Sequence, residues 1–293
     1  MIDDPPPADC AEFRRMDGGA LPCDGVDIEE GGRKLDFAEL VRKPLVWEPP
    51  KADVEVLRDF PYRRDPVSLA DLYRPGGRNP VPVVILVHGE APRHFLETAK
   101  DWGQYRGWGN AIASSGLAAV TFTHRSMETA RPDDALSDLQ AVAETLTSWS
   151  HQLGLRLDSV AVFGLSFGVP LAMQAMLQDL VHGLRAGVMF YGPFDLRPLG
   201  VSAELAALSP ILHLSGTVSP CSLLVVKAAH DSPEINQSID VFVGHATEAG
   251  WPVELMVHED GHHAFDLIDE TSTSEKVMRR TISFLQRNLL QRD

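Results

Sequence analysis

The chain has 293 residues and a mass of 32.1 kDa, with 44% hydrophobic and 23% charged residues. A chain of that length buries roughly three quarters of its unfolded surface, so it needs no disulfides or structural metal, and its composition excludes disordered, fibrous and collagen-like classes. Forty-one Asp and Glu against 26 Lys and Arg leave a net charge of −15. That field repels phosphate backbones and anionic lipid, which excludes nucleic acid and the membrane surface as expected partners. Cys10, Cys23 and Cys221 are too few and too scattered for a disulfide framework, so free thiols in a reducing compartment are expected. The opening MIDDPPPADC has neither a basic nor an apolar stretch, and no window reaches the ~18 apolar residues of a membrane span. A soluble, cytoplasmic chain is the expectation, in which the sequon Asn236-Gln237-Ser238 is idle.

Residues 1–35 hold the run Pro5-Pro6-Pro7, glycine pairs and an acidic excess, a composition that predicts a flexible tail. Residues 36–293 read as one domain. A short helix is expected over 36–43, ended by Pro44. Two strands, 54–57 and 68–73, follow with only a turn between them, so the sheet begins antiparallel. Residues 82–87 form a continuous apolar run, the mark of a strand buried on both faces. From there helices at 103–114, 133–151, 169–180, 237–249 and 273–290 alternate with strands at 117–123, 159–163, 184–191, 222–228 and 253–257. Such alternation predicts an α/β fold with a mostly parallel sheet covered by helices on both faces. Pro193, Pro198, Gly200, Pro210 and Pro220 interrupt the pattern over 193–220, which is read as a small lid segment.

The strongest chemical signal is Gly164-Leu165-Ser166-Phe167-Gly168. It lies between a predicted strand and a predicted helix, the context that a G-x-S-x-G nucleophile elbow requires. The turn is tight enough to exclude side chains at the flanking glycines, and it presents the Ser166 hydroxyl above the sheet in a strained conformation. The helix behind adds partial positive charge beside the oxygen. A serine hydroxyl still needs a base. Downstream, strand 222–228 runs out at His230-Asp231, and strand 253–257 runs out into His258-Glu259-Asp260-Gly261-His262-His263. Both are carboxyl ends of parallel strands, where open sheets place their sites. Asp231 with Glu234 reads equally well as a helix capping box, and Glu234 is the fallback acid. Of the adjacent His262 and His263, spacing to Phe265-Asp266 favours His263. His124 and His230 read as hydrogen-bonded loop residues.

The chain resembles the α/β-hydrolase superfamily, in its dienelactone-hydrolase/esterase-like branch, over roughly residues 52–290. The resemblance rests on Leu72-Tyr73-Arg74-Pro75, Val87-His88-Gly89, the pentapeptide at Ser166, Asp231-x-Pro233-x-x-Asn236 and Gly261-x-His263-x-Phe265-Asp266. It implies Ser166 as nucleophile, His263 as general base and then acid, and Asp231 as the residue orienting the imidazole, in a cofactor-free acyl-enzyme mechanism on a carboxylic ester or lactone. Activity would then rise with pH as His263 becomes neutral, around ~6.5 for an ordinary histidine. Oxyanion donors are expected from the backbone N–H of Phe167 and of Glu90 or Ala91. Glu90 departs from the glycine-rich pattern common in esterases. Its carboxylate is unfavourable there unless it points away or pairs with Arg93, and Glu90→Gly is expected to leave activity equal or higher. Tyr191, Phe194 and Phe265 fall near strand ends as candidates for an apolar substrate pocket.

Rival readings remain open. A prolyl-oligopeptidase-like peptidase shares the order of catalytic residues, although a propeller has no room ahead of the domain. A hydrolase-like binding module without turnover is the alternative outside enzymes. The string from His258 to His262 matches H-E-x-x-H, but it follows a strand and contains Asp-Gly, so the two rings are not expected to converge on zinc and no metal is assigned.

Overall fold

The computed structural model describes residues 27–30, 33–77, 79–127, 131–214 and 221–291. Cys10, Cys23 and most of the tail expected over 1–35 lie outside the described residues, as do 215–220 of the expected lid. The first described elements are an antiparallel pair, β1 (Asp27–Glu30) and β2 (Arg33–Asp36), within the stretch whose composition predicts a flexible tail. Asp36 then caps α1 (Phe37–Leu40) by accepting from the Ala38 N–H at 2.9 Å. Phe37 anchors this segment against the rings of Phe95 and Trp102.

The next elements are β3 (Val54–Pro61), β4 (Leu69–Pro75), β5 (Val81–Val87), α2 (Arg93–Leu96), α3 (Gly103–Ser114) and β6 (Ala118–Phe122). They are followed by α4 (Pro132–Ser148), α5 (Ser150–Leu153), β7 (Leu155–Leu165), α6 (Gly168–Leu177), β8 (Leu184–Phe190) and α7 (Ala203–Ala206). The chain closes with β9 (Ser222–Ala228), α8 (Pro233–Glu248), β10 (Val253–His258), α9 (Phe265–Ile268) and α10 (Ser272–Leu290). β3 to β10 form one eight-stranded sheet in the order β10-β9-β8-β7-β5-β6-β4-β3. β3, β4 and β6 pair antiparallel, and the remaining pairs are parallel.

Strand alternation divides the core in two. Along β5, Val83, Ile85 and Val87 face a layer built with Leu139 and Val142 of α4, Leu171 of α6 and Phe242 of α8. Val84 and Leu86 face the opposite layer, with Tyr105 and Trp108 of α3 and Met278 and Leu285 of α10. Both faces of the central strands are therefore apolar, which is why the run at 82–87 shows no polar alternation. β3 departs from the expected short strand through a register shift between Leu57 and Phe60, with Asp59 at φ 55. Buried Asp71 satisfies this bulge, accepting from the Asp59 N–H, Arg58 and Lys100. Lys100, only 4% exposed, also pairs with Asp59 and so ties the bulge to the segment before α3.

Residues 193–214 are compact. Phe194, Leu196, Leu205, Leu208 and Leu214 are buried, and Gln174 of α6 donates to the Leu208 carbonyl at 3.0 Å. Among the described residues no helix is long and apolar enough to cross a membrane.

Candidate active site

β7 leaves the sheet at Leu165 and α6 begins at Gly168, so a single elbow carries Ser166 at φ 53. A non-glycine residue held there stores on the order of 1–3 kcal/mol of strain. Backbone contacts hold it: the Ser166 N–H donates to the Phe190 carbonyl at 3.0 Å, and the Val169 N–H to the Ser166 carbonyl at 2.9 Å. A side chain at position 168 would collide with the Val87 and His88 carbonyl oxygens, so only glycine lets α6 start this close to β5.

His263 lies in the loop after β10, with Nε2 2.8 Å from Ser166 Oγ and Nδ1 2.7 Å from Asp231 Oδ2. Asp231 follows β9, and its other oxygen accepts from the Ser232 N–H at 2.7 Å. Both side chains are largely buried, at 19% and 5% exposure for His263 and Asp231. A proton on Nδ1 facing the carboxylate leaves Nε2 as an acceptor for the serine hydroxyl. The capping-box alternative for Asp231 is corrected. Ser232 caps α8, accepting from the Ile235 N–H, while Glu234 is exposed on the first turn.

The neighbouring histidines have other partners. His262 Nδ1 and its backbone N–H both meet Asp269, at 3.1 and 2.8 Å. His230 is exposed and packs edge-on against the His262 ring. His258 is buried with Nε2 2.8 Å from Ser274 Oγ, and burial holds it below the ordinary histidine range. The two histidines of the H-E-x-x-H match thus engage separate groups.

Facing the elbow, Gly89 follows β5, and a Cβ there would sit 3.0 Å from Ser166 Cβ and 3.4 Å from the Phe167 nitrogen. The Gly89 N–H donates to the Tyr105 hydroxyl at 3.0 Å. Behind it, His88 donates from Nδ1 to the Gly89 carbonyl and accepts the His124 N–H at Nε2, at 2.8 and 3.0 Å. Burial, then the adjacent His124 ring stacked at 3.6 Å, holds His88 well below the ordinary range, so it is neutral. The Glu90 carboxylate accepts from Ser126 Oγ at 2.9 Å and the Met127 N–H at 2.6 Å. It points at the loop after β6, while Ala91 packs against the core layer of α3.

The pocket expectation is corrected for all three aromatics. Phe194 is fully buried and stacked on Phe242, and Phe265 is fully buried beside Phe190, so neither ring has a face left for a substrate. Tyr191 is also buried, with its ring centroid 4.9 Å from that of His263. Among the described residues five non-glycines have positive φ, and three of them (Ser166, Tyr191 at φ 36 and Ala264 at φ 56) belong to this site. Strain clusters where surrounding structure over-determines the backbone, which is a property of functional sites.

The BD-FAE family model matches residues 70–202. Solved structures superpose over most of the chain. Esterase B from Lactobacillus rhamnosis aligns with a TM-score of 0.64 at 17% identity, covering 82% of this chain and 88% of that one. An esterase of Pyrobaculum calidifontis gives 0.63 at 18% identity, covering 86% and 88%. A bacterial heroin esterase gives 0.62 at 19% identity, covering 81% and 84%. The fold is that of the α/β hydrolases. No curated protein matches the sequence. On this α/β-hydrolase scaffold, Ser166, Asp231 and His263 follow one another in the chain order that the fold uses for nucleophile, acid and base.

Several polar residues packed around the α/β-hydrolase elbow have no signature in the sequence. Gln104 and Trp108 of α3 donate to Asp266, 162 and 158 residues away, at distances of 2.9 and 2.8 Å. No local spacing connects residues so far apart; Asp266 enters the sequence only as the last letter of the motif around His263.

Proposed function

We propose that this protein is a serine hydrolase of the dienelactone-hydrolase/esterase-like branch, acting on a small carboxylic ester or lactone. The observation that carries the reading is the continuous chain from Ser166 Oγ through His263 to Asp231, with 2.8 and 2.7 Å steps. His263 Nε2 takes the Ser166 proton as Oγ bonds to the acyl carbon, giving a tetrahedral oxyanion. Asp231 holds the ring and stabilises the imidazolium that results. Collapse of the intermediate expels the alcohol, which leaves with the proton from Nε2. Water, deprotonated by the same nitrogen, then attacks the acyl-enzyme and releases the acid and free Ser166.

The Phe167 N–H at the mouth of α6 and an N–H of the Glu90–Ala91 segment serve as oxyanion donors in this reading. The close approach of Gly89 to Phe167 supports it, as does the Glu90 carboxylate bonding to Ser126 and Met127. Neutral His88 braces the carbonyl side of the same loop.

Hydrolysis of a short-chain p-nitrophenyl ester tests the reading. The wild type turns over, and Ser166→Ala loses about 10,000-fold or more in kcat. Activity falls toward acid pH as the base takes up a proton. Turnover that survives in Ser166→Ala contradicts the proposal. A folded wild type with no turnover of any ester supports the binding-module alternative instead.

A further inference from the structure

Asp266 is fully buried, yet among the described residues no cation contacts it. Its Oδ1 accepts from the Tyr191 hydroxyl at 2.6 Å and from Gln104 Nε2 at 3.1 Å. Its Oδ2 accepts from Trp108 Nε1 at 2.8 Å and again from Gln104 at 2.9 Å. Gln104 Nε2 also donates to the Tyr191 oxygen at 2.8 Å, which fixes the direction of the network: the Tyr191 proton must point at Asp266. Gln104 and Trp108 only donate here, so a protonated Asp266 could donate only to the Tyr191 oxygen and would leave the Tyr191 proton without its acceptor. The network is complete only around a carboxylate.

This hub touches both halves of the site. Asp266 lies three residues after His263, and its main-chain oxygen accepts from the Val46 N–H. Tyr191, held at positive φ, lays its ring against the His263 imidazole while its hydroxyl is pinned to Asp266. Next to Gln104 on α3, Tyr105 takes the Gly89 N–H. One turn of α3 therefore fixes the loop opposite Ser166 and the loop that carries the base.

We propose that Asp266 is a positioning residue for His263, acting through Tyr191 to hold the imidazole in line and through its negative charge to favour the imidazolium formed in the reaction. The role rests on the assignment of His263 as the general base. Burial holds the Asp266 carboxyl above the ordinary carboxylate range, and its hydrogen bonds from Tyr191, Gln104 and Trp108 offset only part of that push. The phenols of Tyr191 and Tyr105 are pushed upward by burial and stay neutral, so neither adds charge to the hub. On its other sides His263 meets Asp231 and the Ser166 hydroxyl. His262 is matched with Asp269 and meets the His230 ring edge-on, and His258 is held on Ser274. A charge that no cation neutralises acts over longer range than a paired one, and an anion near a histidine favours its charged form.

The test is Asp266→Asn, which keeps the shape and removes the charge, assayed on a p-nitrophenyl ester from pH 5 to pH 9, with thermal melts of each protein. The expected result is a loss in kcat of about 100-fold with KM within about twofold. The acid limb of the kcat/KM profile moves to lower pH, because imidazolium loses a stabilising anion. Tyr191→Phe keeps the ring and the charge, so its acid limb stays at the wild-type position while kcat falls by a smaller factor. If Asp266→Asn does not fold, Trp108→Phe removes one of the bonds and is expected to lower kcat about tenfold at unchanged KM; wild-type kcat in that variant overturns the role. A folded Asp266→Asn with wild-type kcat, or one whose kcat falls while its acid limb stays put, also overturns it. A wild type without ester turnover removes the hydrolase reading itself and this role with it, whereas an active wild type with an unaffected Asp266→Asn removes this role alone.

Discussion

The elbow at Ser166 and the loop from His258 to Asp269 meet at one edge of the sheet, yet they are held by different means. At the elbow the restraints are main-chain: two backbone hydrogen bonds, and a helix start pressed against the Val87 and His88 carbonyls. In the loop the restraints are side chains. Asp269 takes both the His262 ring and its N–H, His258 is fixed on Ser274, and Asp266 gathers donors from α3 and Tyr191. A backbone-held element tolerates polar change but not added volume. A side-chain-held loop tolerates volume better than loss of a charge or a donor. Ser166 is thus placed by packing and His263 by a polar network.

The sharpest way to break this contrast is Gly168→Ala, which adds one methyl group and removes no polar contact. It is expected to cost about 1–3 kcal/mol of stability, measured by denaturant unfolding, and about 100-fold in kcat as the elbow shifts. A variant with wild-type stability and turnover would show that the elbow is not confined by its main chain. A smaller effect is expected opposite the elbow, where Glu90 braces the loop through Ser126 and Met127. Glu90→Gly removes that brace and adds backbone freedom, so kcat is expected to fall about tenfold. This reverses the expectation from sequence that Glu90→Gly leaves activity equal or higher, in which the carboxylate is unfavourable unless it points away or pairs with Arg93. Equal or higher activity in Glu90→Gly restores the earlier view.

What was legible followed from physics that acts over short stretches of chain. The continuous apolar run at 82–87 announces a strand buried on both faces. The glycines around Ser166 announce a tight elbow, because the strand, the turn and the helix are consecutive. The strings His230-Asp231 and His258 to His263 stood out as polar residues where strands end, and the resemblance pointed to Asp231 and His263 within them. The rest depends on contacts between distant residues. Apolar character placed Phe194 and Phe265 near the edge of the sheet, but the direction in which a ring turns depends on Phe242 and Phe190, which no periodicity links to them. The bulge at Asp59 needs Asp71 and Lys100 together, and the hub at Asp266 needs a helix more than 150 residues earlier. The pair β1–β2 escaped for another reason: antiparallel backbone pairing requires no apolar composition.

The central claim is that Ser166 is activated by His263, and covalent labelling with a fluorophosphonate followed by peptide mapping tests it most directly. The account predicts a single adduct on Ser166 in the wild type, formed about 1,000-fold or more slowly in folded His263→Ala. An adduct on another residue, or labelling of Ser166 at an undiminished rate without His263, would contradict it.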